Sequence, residues 1–182
     1  MTRAAEPKKK LTYADYLLFP DDGKRHELID GEHYVSPSPN LYHQTVSGRI
    51  FAQLFFQIEA KRLGRVLAAP MDVQLSLTSV VEPDLIVVLE RNRHILAPKR
   101  IKGAPDLLVE ILSDSTAKQD FEDKPKLYAA SGVPEYWIVS PDEHTVEQHL
   151  LEGSAYRLAG THETEITFCG LEGVVVDLKK VW

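Results

Sequence analysis

Between residues 41 and 62 the apolar positions keep a helical period. Val46, Ile50, Leu54 and Ile58 stand four apart with Phe51 and Phe55 beside them, so one broad stripe faces a core. This is the strongest helix in the sequence, and Gly64 suits its end. Earlier, "LTYADYLLF" has Thr12 three residues ahead of Asp15, a start resembling a capping box, which predicts a short helix ending before Pro20. "RHELIDGEHYV" then places Asp30-Gly31 between two runs of strand formers. That dipeptide supplies the positive φ angles of a tight turn, so a β-hairpin is expected.

Beyond residue 64 the pattern shortens. "RVLAAPMDVQLSL" reads as a strand with a bulge or an edge at Pro70. "PDLIVVL" and "PDLLVEIL" are apolar on both faces, the mark of interior strands covered on two sides by helices. "KQDFEDKPKLYAASGV" predicts a helix with Phe121, Leu127 and Tyr128 turned inward, Pro125 in an early turn or at a kink, and Gly132 as the stop. "EYWIVSPDEHTVEQHLLEGSAYRL" reads as a strand, a turn at Pro141-Asp142 and further strands, with "GVVVDL" a late strand. The order favours a mixed α/β sheet with the long helix on one face. No repeat or linker divides the chain, so one domain over 11–182 is expected behind a flexible 1–10 segment.

Composition adds limits. The 182 residues suit one core, and 43% apolar with 26% charged residues is ordinary for a globular domain. No apolar run approaches the roughly 20 residues of a membrane span, and none follows "MTRAAEPKKK" to make a secretory signal, so a cytoplasmic protein is expected. The lone Cys169 excludes an internal disulfide and a cysteine-rich zinc site within one chain. A net charge of −6 disfavours nonspecific coating of nucleic acid, yet a nuclease that recruits a divalent cation tolerates an acidic total.

The candidate chemistry lies in one strand. In "PDLLVEILSDS" the alternation of side chains puts Asp106, Leu108, Glu110 and Leu112 on one face, so Glu110 points where leucines point. An unpaired ionised carboxylate there would cost several kcal/mol, so it needs a cation, a basic side chain, a proton or water. Magnesium is commonly held by one or two carboxylates, waters and phosphate oxygens. Asp84 and Glu110 could supply the carboxylates if their strands are neighbours, and the Ile111 carbonyl a third oxygen. Lys124, on the following helix, could stabilise the phosphate or help position and deprotonate the water.

At these residues a resemblance becomes visible. "RHELIDGEHY", "VEPDLIVV", "GAPDLLVEILSDST" and "QDFEDKPKLYAASGVPEYWIV" resemble the Uma-two family of proposed restriction endonucleases over nearly the whole chain from about Leu11. The resemblance implies a restriction-endonuclease-like, PD-(D/E)xK fold: a mixed central sheet flanked by helices, with an N-terminal helix and hairpin. It implies that Asp84 and Glu110 are the metal-holding acids. The general pattern places a lysine two residues after the second acid, where this chain has Leu112, and the resemblance moves that lysine to Lys124, with Lys126 and then Lys118 as fallbacks. Glu27 matches the acid of the family's hairpin, and His43 a histidine at the start of its long helix. The implied activity is magnesium-dependent hydrolysis of DNA phosphodiesters, with manganese as a substitute and a homodimer as the working state.

Plainer readings stand beside these. Asp84 could be a turn residue, and Glu110 could sit at an exposed strand end paired with Lys118 or Lys124. Lys124 could make a surface helix pair with Asp120, four residues earlier. Glu27 could be a solvated strand residue, and His43 a packing or capping residue. Ser113-Asp114-Ser115 reads as a turn and helix start. Tyr136 and Trp137 could pack inside or form a partner surface. A noncatalytic module binding DNA or a protein is the rival function, supported by Leu112, and hydrolysis of RNA or another phosphate ester is a third.

Overall fold

The computed structural model describes residues 9–113 and 117–182, the side chains of residues 117–119 excepted. The chain opens with α1 (Tyr13–Tyr16) and the hairpin β1 (Arg25–Ile29) and β2 (Glu32–Ser36). Helix α2 (Leu41–Leu54) continues as a π-helical turn, Phe55–Glu59. Then come β3 (Gly64–Ala68), β4 (Val73–Gln74), β5 (Val80–Val81) and β6 (Leu85–Leu89), followed by a 3-10 turn at Glu90–Ile95. Strands β7 (Leu96–Ala97), β8 (Arg100–Lys102) and β9 (Leu107–Ile111) lead to α3 (Ala117–Glu122) and α4 (Lys124–Ala130). Strands β10 (Glu135–Ser140), β11 (Thr145–Glu152), β12 (Ala155–His162), β13 (Glu165–Thr167) and β14 (Val175–Asp177) precede a last 3-10 turn, Leu178–Lys180.

The central sheet runs β12-β11-β10-β9-β6-β3, and a second sheet runs β2-β1-β5-β4-β8-β7. All pairs of the central sheet are antiparallel except β9 with β10, which are parallel and joined through α3 and α4. The runs "LIVVL" and "LLVEI" are buried throughout, as interior strands should be. Alternate residues serve different cores. Leu85, Val87 and Leu89 with Leu107, Val109 and Ile111 pack under the α2 stripe of Val46, Ile50 and Leu54. Ile86, Val88 and Leu108 turn the other way, toward Ile29, Val73 and Tyr128. Helices therefore lie on both faces, α2 on one and α4 on the other, with the second sheet packed beside α4.

Several local expectations are met. Thr12 N donates to Asp15 Oδ2 at 2.8 Å, and Asp30 and Gly31 turn the hairpin at φ 48° and 83°. Others change. The long helix is closed by Arg62 at φ 60°, not by Gly64. Gly64 is a strand residue, and a Cβ there would lie 2.5 Å from the Val88 oxygen and 2.8 Å from Leu89 Cα. The predicted strand around Pro70 is two strands in different sheets, broken at the cis Ala69–Pro70 bond. The single helix before Gly132 is two helices, because Pro125, at the first turn of α4, cannot donate back into the preceding helix. Phe121 is 48% exposed rather than inward, whereas Tyr136 and Trp137 are fully buried, which removes the partner-surface reading. The terminal 1–8 part of the flexible-segment expectation, and Asp114-Ser115, lie outside the described residues.

Close approach of β3 to β6 sets a test. Gly64→Ala should lower unfolding stability by roughly 1–3 kcal/mol, the usual cost of overpacking, measured by urea denaturation.

Candidate active site

The antiparallel register of β6 and β9 pairs Leu85 with Val109 and Ile86 with Leu108. Continued by one residue, it sets Asp84 opposite Glu110. The side chain of Asp84 closes this corner: its Oδ2 accepts from Ile111 N at 2.8 Å. His43, one turn into α2, brings Nε2 to 3.0 Å from the Ile111 carbonyl oxygen and 3.2 Å from Asp84 Oδ2. A carbonyl oxygen can only accept, so Nε2 carries the hydrogen; Nδ1 is buried with no hydrogen-bond partner among the described residues. Asn40 caps α2 by accepting from His43 N at 2.8 Å, which fixes where the ring starts. Across the corner, both terminal nitrogens of Arg25 donate to Asp84 Oδ1, at 2.9 and 3.0 Å. Burial alone would push the Asp84 carboxyl up; the His43 hydrogen bond and the Arg25 charge outweigh it and hold Asp84 below the usual range.

Glu110 belongs to a second, deeper cluster. It is 2% exposed and Lys124 is 1% exposed, so neither can be a surface group. Lys124 Nζ lies 2.9 Å from Glu110 Oε1, 3.1 Å from Asp120 Oδ1 and 3.4 Å from Glu27 Oε2. Tyr128 OH donates to the same Glu110 oxygen at 2.6 Å. Glu27, on β1, also accepts from Glu82 N at 2.9 Å. Burial works against the Lys124 charge, but Glu110, Glu27 and Asp120 overcome it and hold the ammonium well above its ordinary value. Burial first, then the neighbouring acids against the pull of Lys124, push Glu110 well up. The readings of Glu27 as solvated, of Glu110 as an exposed strand end and of Lys124 with Asp120 as a surface pair are thereby corrected. Lys126 is exposed, and the Lys118 side chain lies outside the described residues.

Two clefts reach this region. One of about 540 Å³ is lined by Tyr16, Phe19, Arg25, His43, Glu82 and Asp84 among others. The other, about 220 Å³, is lined by Arg25, Asn40, His43, Asp84, Glu110 and Ser113 among others. Arg25, His43 and Asp84 line both, so the clefts meet there. Lys124 and Glu27 line neither.

The donors expected for a divalent cation fit in kind and neighbourhood: Asp84 Oδ2 and the Ile111 oxygen converge on one atom, His43 Nε2, and Glu110 is the next side chain along the strand. As arranged, Arg25, His43 and Lys124 already occupy these oxygens. Among the described residues, no three His, Cys, Asp or Glu side chains are disposed to hold a metal ion as they stand.

A family model described as "Putative restriction endonuclease", Uma2, matches residues 13–178. The chain belongs to the Uma2 family. Among solved structures it is similar to a putative nuclease belonging to DUF820 from Anabaena variabilis ATCC 29413, with a TM-score of 0.76 and 17% identity over 94% of this chain and 97% of that one. No curated protein matches. The Uma2 chain has a restriction-endonuclease-like mixed α/β fold, and the sequence reading of family and fold holds.

Within this Uma2 domain the structure brings Asp84, Glu110, Ile111, His43, Lys124 and Glu27 into one region. Sequence reasoning missed Arg25, Asp120 as a member of the cage, Tyr128 as a hydrogen-bond donor, and Glu82. Arg25 had a signal: on a strand, residues two apart share a face, so Arg25 and Glu27 point together. Asp120 stands four residues before Lys124, a spacing that pairs the two on a helix without marking them as buried. Glu82 had no signal, because its neighbours Asp72 and Tyr16 come from distant segments.

Two outcomes follow from these charges. Lys124→Met leaves three buried carboxylates without their cation and should cost on the order of 3–5 kcal/mol in urea unfolding, partly recovered by adding Glu110→Gln. Glu82 is raised from 4.5 to about 7 by burial and then by Asp72. Its unfolded form therefore ionises first as pH rises, and stability falls from about pH 4.5 to 7 and stays reduced above. Glu82→Gln should match wild type in stability near pH 4 and exceed it at pH 8 by on the order of 1 kcal/mol, allowing for partial exposure.

Proposed function

We propose that this domain is a metal-dependent endonuclease that hydrolyses DNA phosphodiester bonds. The observation that carries the reading is the convergence of Asp84 Oδ2 and the Ile111 carbonyl on a single point beside Glu110, at the meeting of two clefts. Asp84, Glu110 and the Ile111 oxygen would hold Mg²⁺, with Mn²⁺ as a substitute; such an ion polarises the phosphoryl oxygen and makes water a better nucleophile. The chain supplies position. Asp84 is fixed by Ile111 N, and Glu110 by Tyr128 and Lys124. Lys124 has three acceptors for its three N–H groups, so it acts here as a positioning residue for Glu110, the closest equivalent of the lysine that Leu112 replaces. Glu27 and Asp120 hold Lys124 in turn. His43 sets the distance between Asp84 and the Ile111 oxygen. A homodimer would bring two such sites to two strands. Among the described residues, no helix is long and apolar enough to cross a membrane.

One observation favours a noncatalytic, nucleic-acid- or protein-binding module instead: Arg25 and Lys124 already form ion pairs with the acids, and the N–H of His43 faces Asp84. Calorimetric titration with Mn²⁺, paired with cleavage assays on DNA, RNA and small diesters, separates the cases. Wild type should take up Mn²⁺ and cleave DNA, whereas Asp84→Ala and Glu110→Ala should stay folded by circular dichroism and lose at least about a hundredfold in cleavage. Wild type that binds no Mn²⁺, even with noncleavable DNA present, would return the domain to the binding-module reading.

A further inference from the structure

We propose that Arg25 is a phosphate-binding catalytic residue that leaves Asp84 for a nonbridging oxygen of the substrate when the site is loaded. The inference rests on the nuclease reading and names a substrate contact that the two acids and the lysine leave unfilled. Three basic side chains stand among the acids of this region, and they differ in what they can reach. Lys124 is enclosed by Glu27, Glu110 and Asp120 and lines neither cleft. His43 offers one N–H, already directed at the Ile111 oxygen and Asp84 Oδ2. Arg25 lines both clefts where they meet, and its side chain keeps 17% exposure.

The way Arg25 is bonded matters. A guanidinium matches a carboxylate best when its two parallel N–H groups take two oxygens. Here both terminal nitrogens converge on Asp84 Oδ1 alone, while Asp84 Oδ2 is taken by Ile111 N and His43. Each terminal nitrogen keeps a second N–H, so the fork has donors to spare. Among the described residues, Asp84 is the one carboxylate with which Arg25 forms an ion pair. Burial opposes its charge, but Asp84 and then Glu110 hold the guanidinium above its ordinary value, so it stays a cation.

A divalent ion at Asp84 Oδ2 would draw on the same carboxylate charge that holds Arg25 at Oδ1 and so loosen that pair. The displaced guanidinium, largely buried, then needs an anion within reach, and a phosphodiester at the junction of the clefts is one with paired oxygens of the right geometry. The two partners of Arg25 are therefore alternatives. Removing Arg25 should ease access of a cation to Asp84 while weakening hold on the substrate. A merely structural arginine would weaken both.

The test uses full-length wild type, Arg25→Met and Arg25→Lys, each checked for folding by circular dichroism. Mn²⁺ binding is titrated by calorimetry without nucleic acid. Affinity for a fluorescein-labelled oligodeoxynucleotide is measured in Ca²⁺, and cleavage of the same oligonucleotide in Mg²⁺. For Arg25→Met we expect Mn²⁺ affinity equal to or up to about tenfold tighter than wild type, oligonucleotide affinity weaker by roughly tenfold, and cleavage lower by about a hundredfold. Arg25→Lys, which keeps the charge and loses the fork, should fall between. If Arg25→Met loses Mn²⁺ affinity, or binds the oligonucleotide as wild type does, the exchange is wrong while the nuclease reading stands. Should Arg25→Met fail to fold, Arg25→Lys decides alone: oligonucleotide affinity and cleavage equal to wild type overturn the proposal. Wild type that neither takes up Mn²⁺ nor cleaves overturns the nuclease reading and the exchange with it.

Discussion

The ammonium of Lys124, sunk among Glu27, Glu110 and Asp120, is the interaction on which the rest of the site depends. Four elements or their edges meet at that one charge: β1 through Glu27, β9 through Glu110, α3 through Asp120 and α4 through Lys124 itself. A buried carboxylate without a partner costs several kcal/mol, and three without one would not stay buried together. The lysine thus ties the hairpin and both short helices to the central sheet at the same place. Tyr128, one turn further along α4, adds a hydrogen bond to Glu110 and packs against Tyr136, which anchors the helix that carries the lysine.

Next to this closed cage lies a corner built differently. Asp84 is reached from the clefts, and its neighbours come from the backbone of β9, from the first turn of α2 and from the hairpin. The cage fixes Glu110; the corner leaves Asp84 able to change partners. Placing both acids one residue beyond the last pair of the β6–β9 register sets Asp84, anchored to the β9 backbone through Oδ2 and to Arg25 through Oδ1, opposite the enclosed Glu110. That division follows from burial. The Glu110 face is covered by the second sheet and α4, whereas Asp84 sits where β6 begins and the loop before β2's successor helix leaves room for a cleft.

Much of this was legible in the sequence. The β6 and β9 strands announce themselves as runs apolar on both faces, the Asp30-Gly31 turn as a hairpin, and the α2 stripe as the helix that covers one side. Glu110 was legible because a carboxylate interrupts such a run and must be compensated. Other features were not. Nothing in "KQDFEDKPKLYAASGV" says that Asp120 and Lys124 face inward, since an acid four residues before a lysine is also the commonest surface pair. The second sheet escaped notice because its strands β4, β5, β7 and β8 run only two or three residues, too short for any period to show. By local pattern Gly64 suits a helix stop, whereas it is needed for the close approach of Val88 and Leu89, a long-range demand invisible to that pattern.

With Leu112 following Glu110, the cation beside this acid comes from α4, and that origin has a chemical consequence. At Leu112 a lysine would extend from the same strand face as Glu110, its head free to follow a bound phosphate. Leu112 instead packs partly buried against the second core, and the charge arrives from α4, held on three sides. A cation so constrained can fix an acid but cannot travel to a substrate without breaking ion pairs in a low-dielectric place, each of which is costly to open. Whatever mobile positive charge the chemistry requires must come from another element. The hairpin carries such a cation in Arg25, two residues along the strand from Glu27, so a single strand both completes the cage and places a guanidinium at the clefts beside it. The lysine is thus enclosed by its three acids, while the arginine, largely buried too, keeps an edge on both clefts.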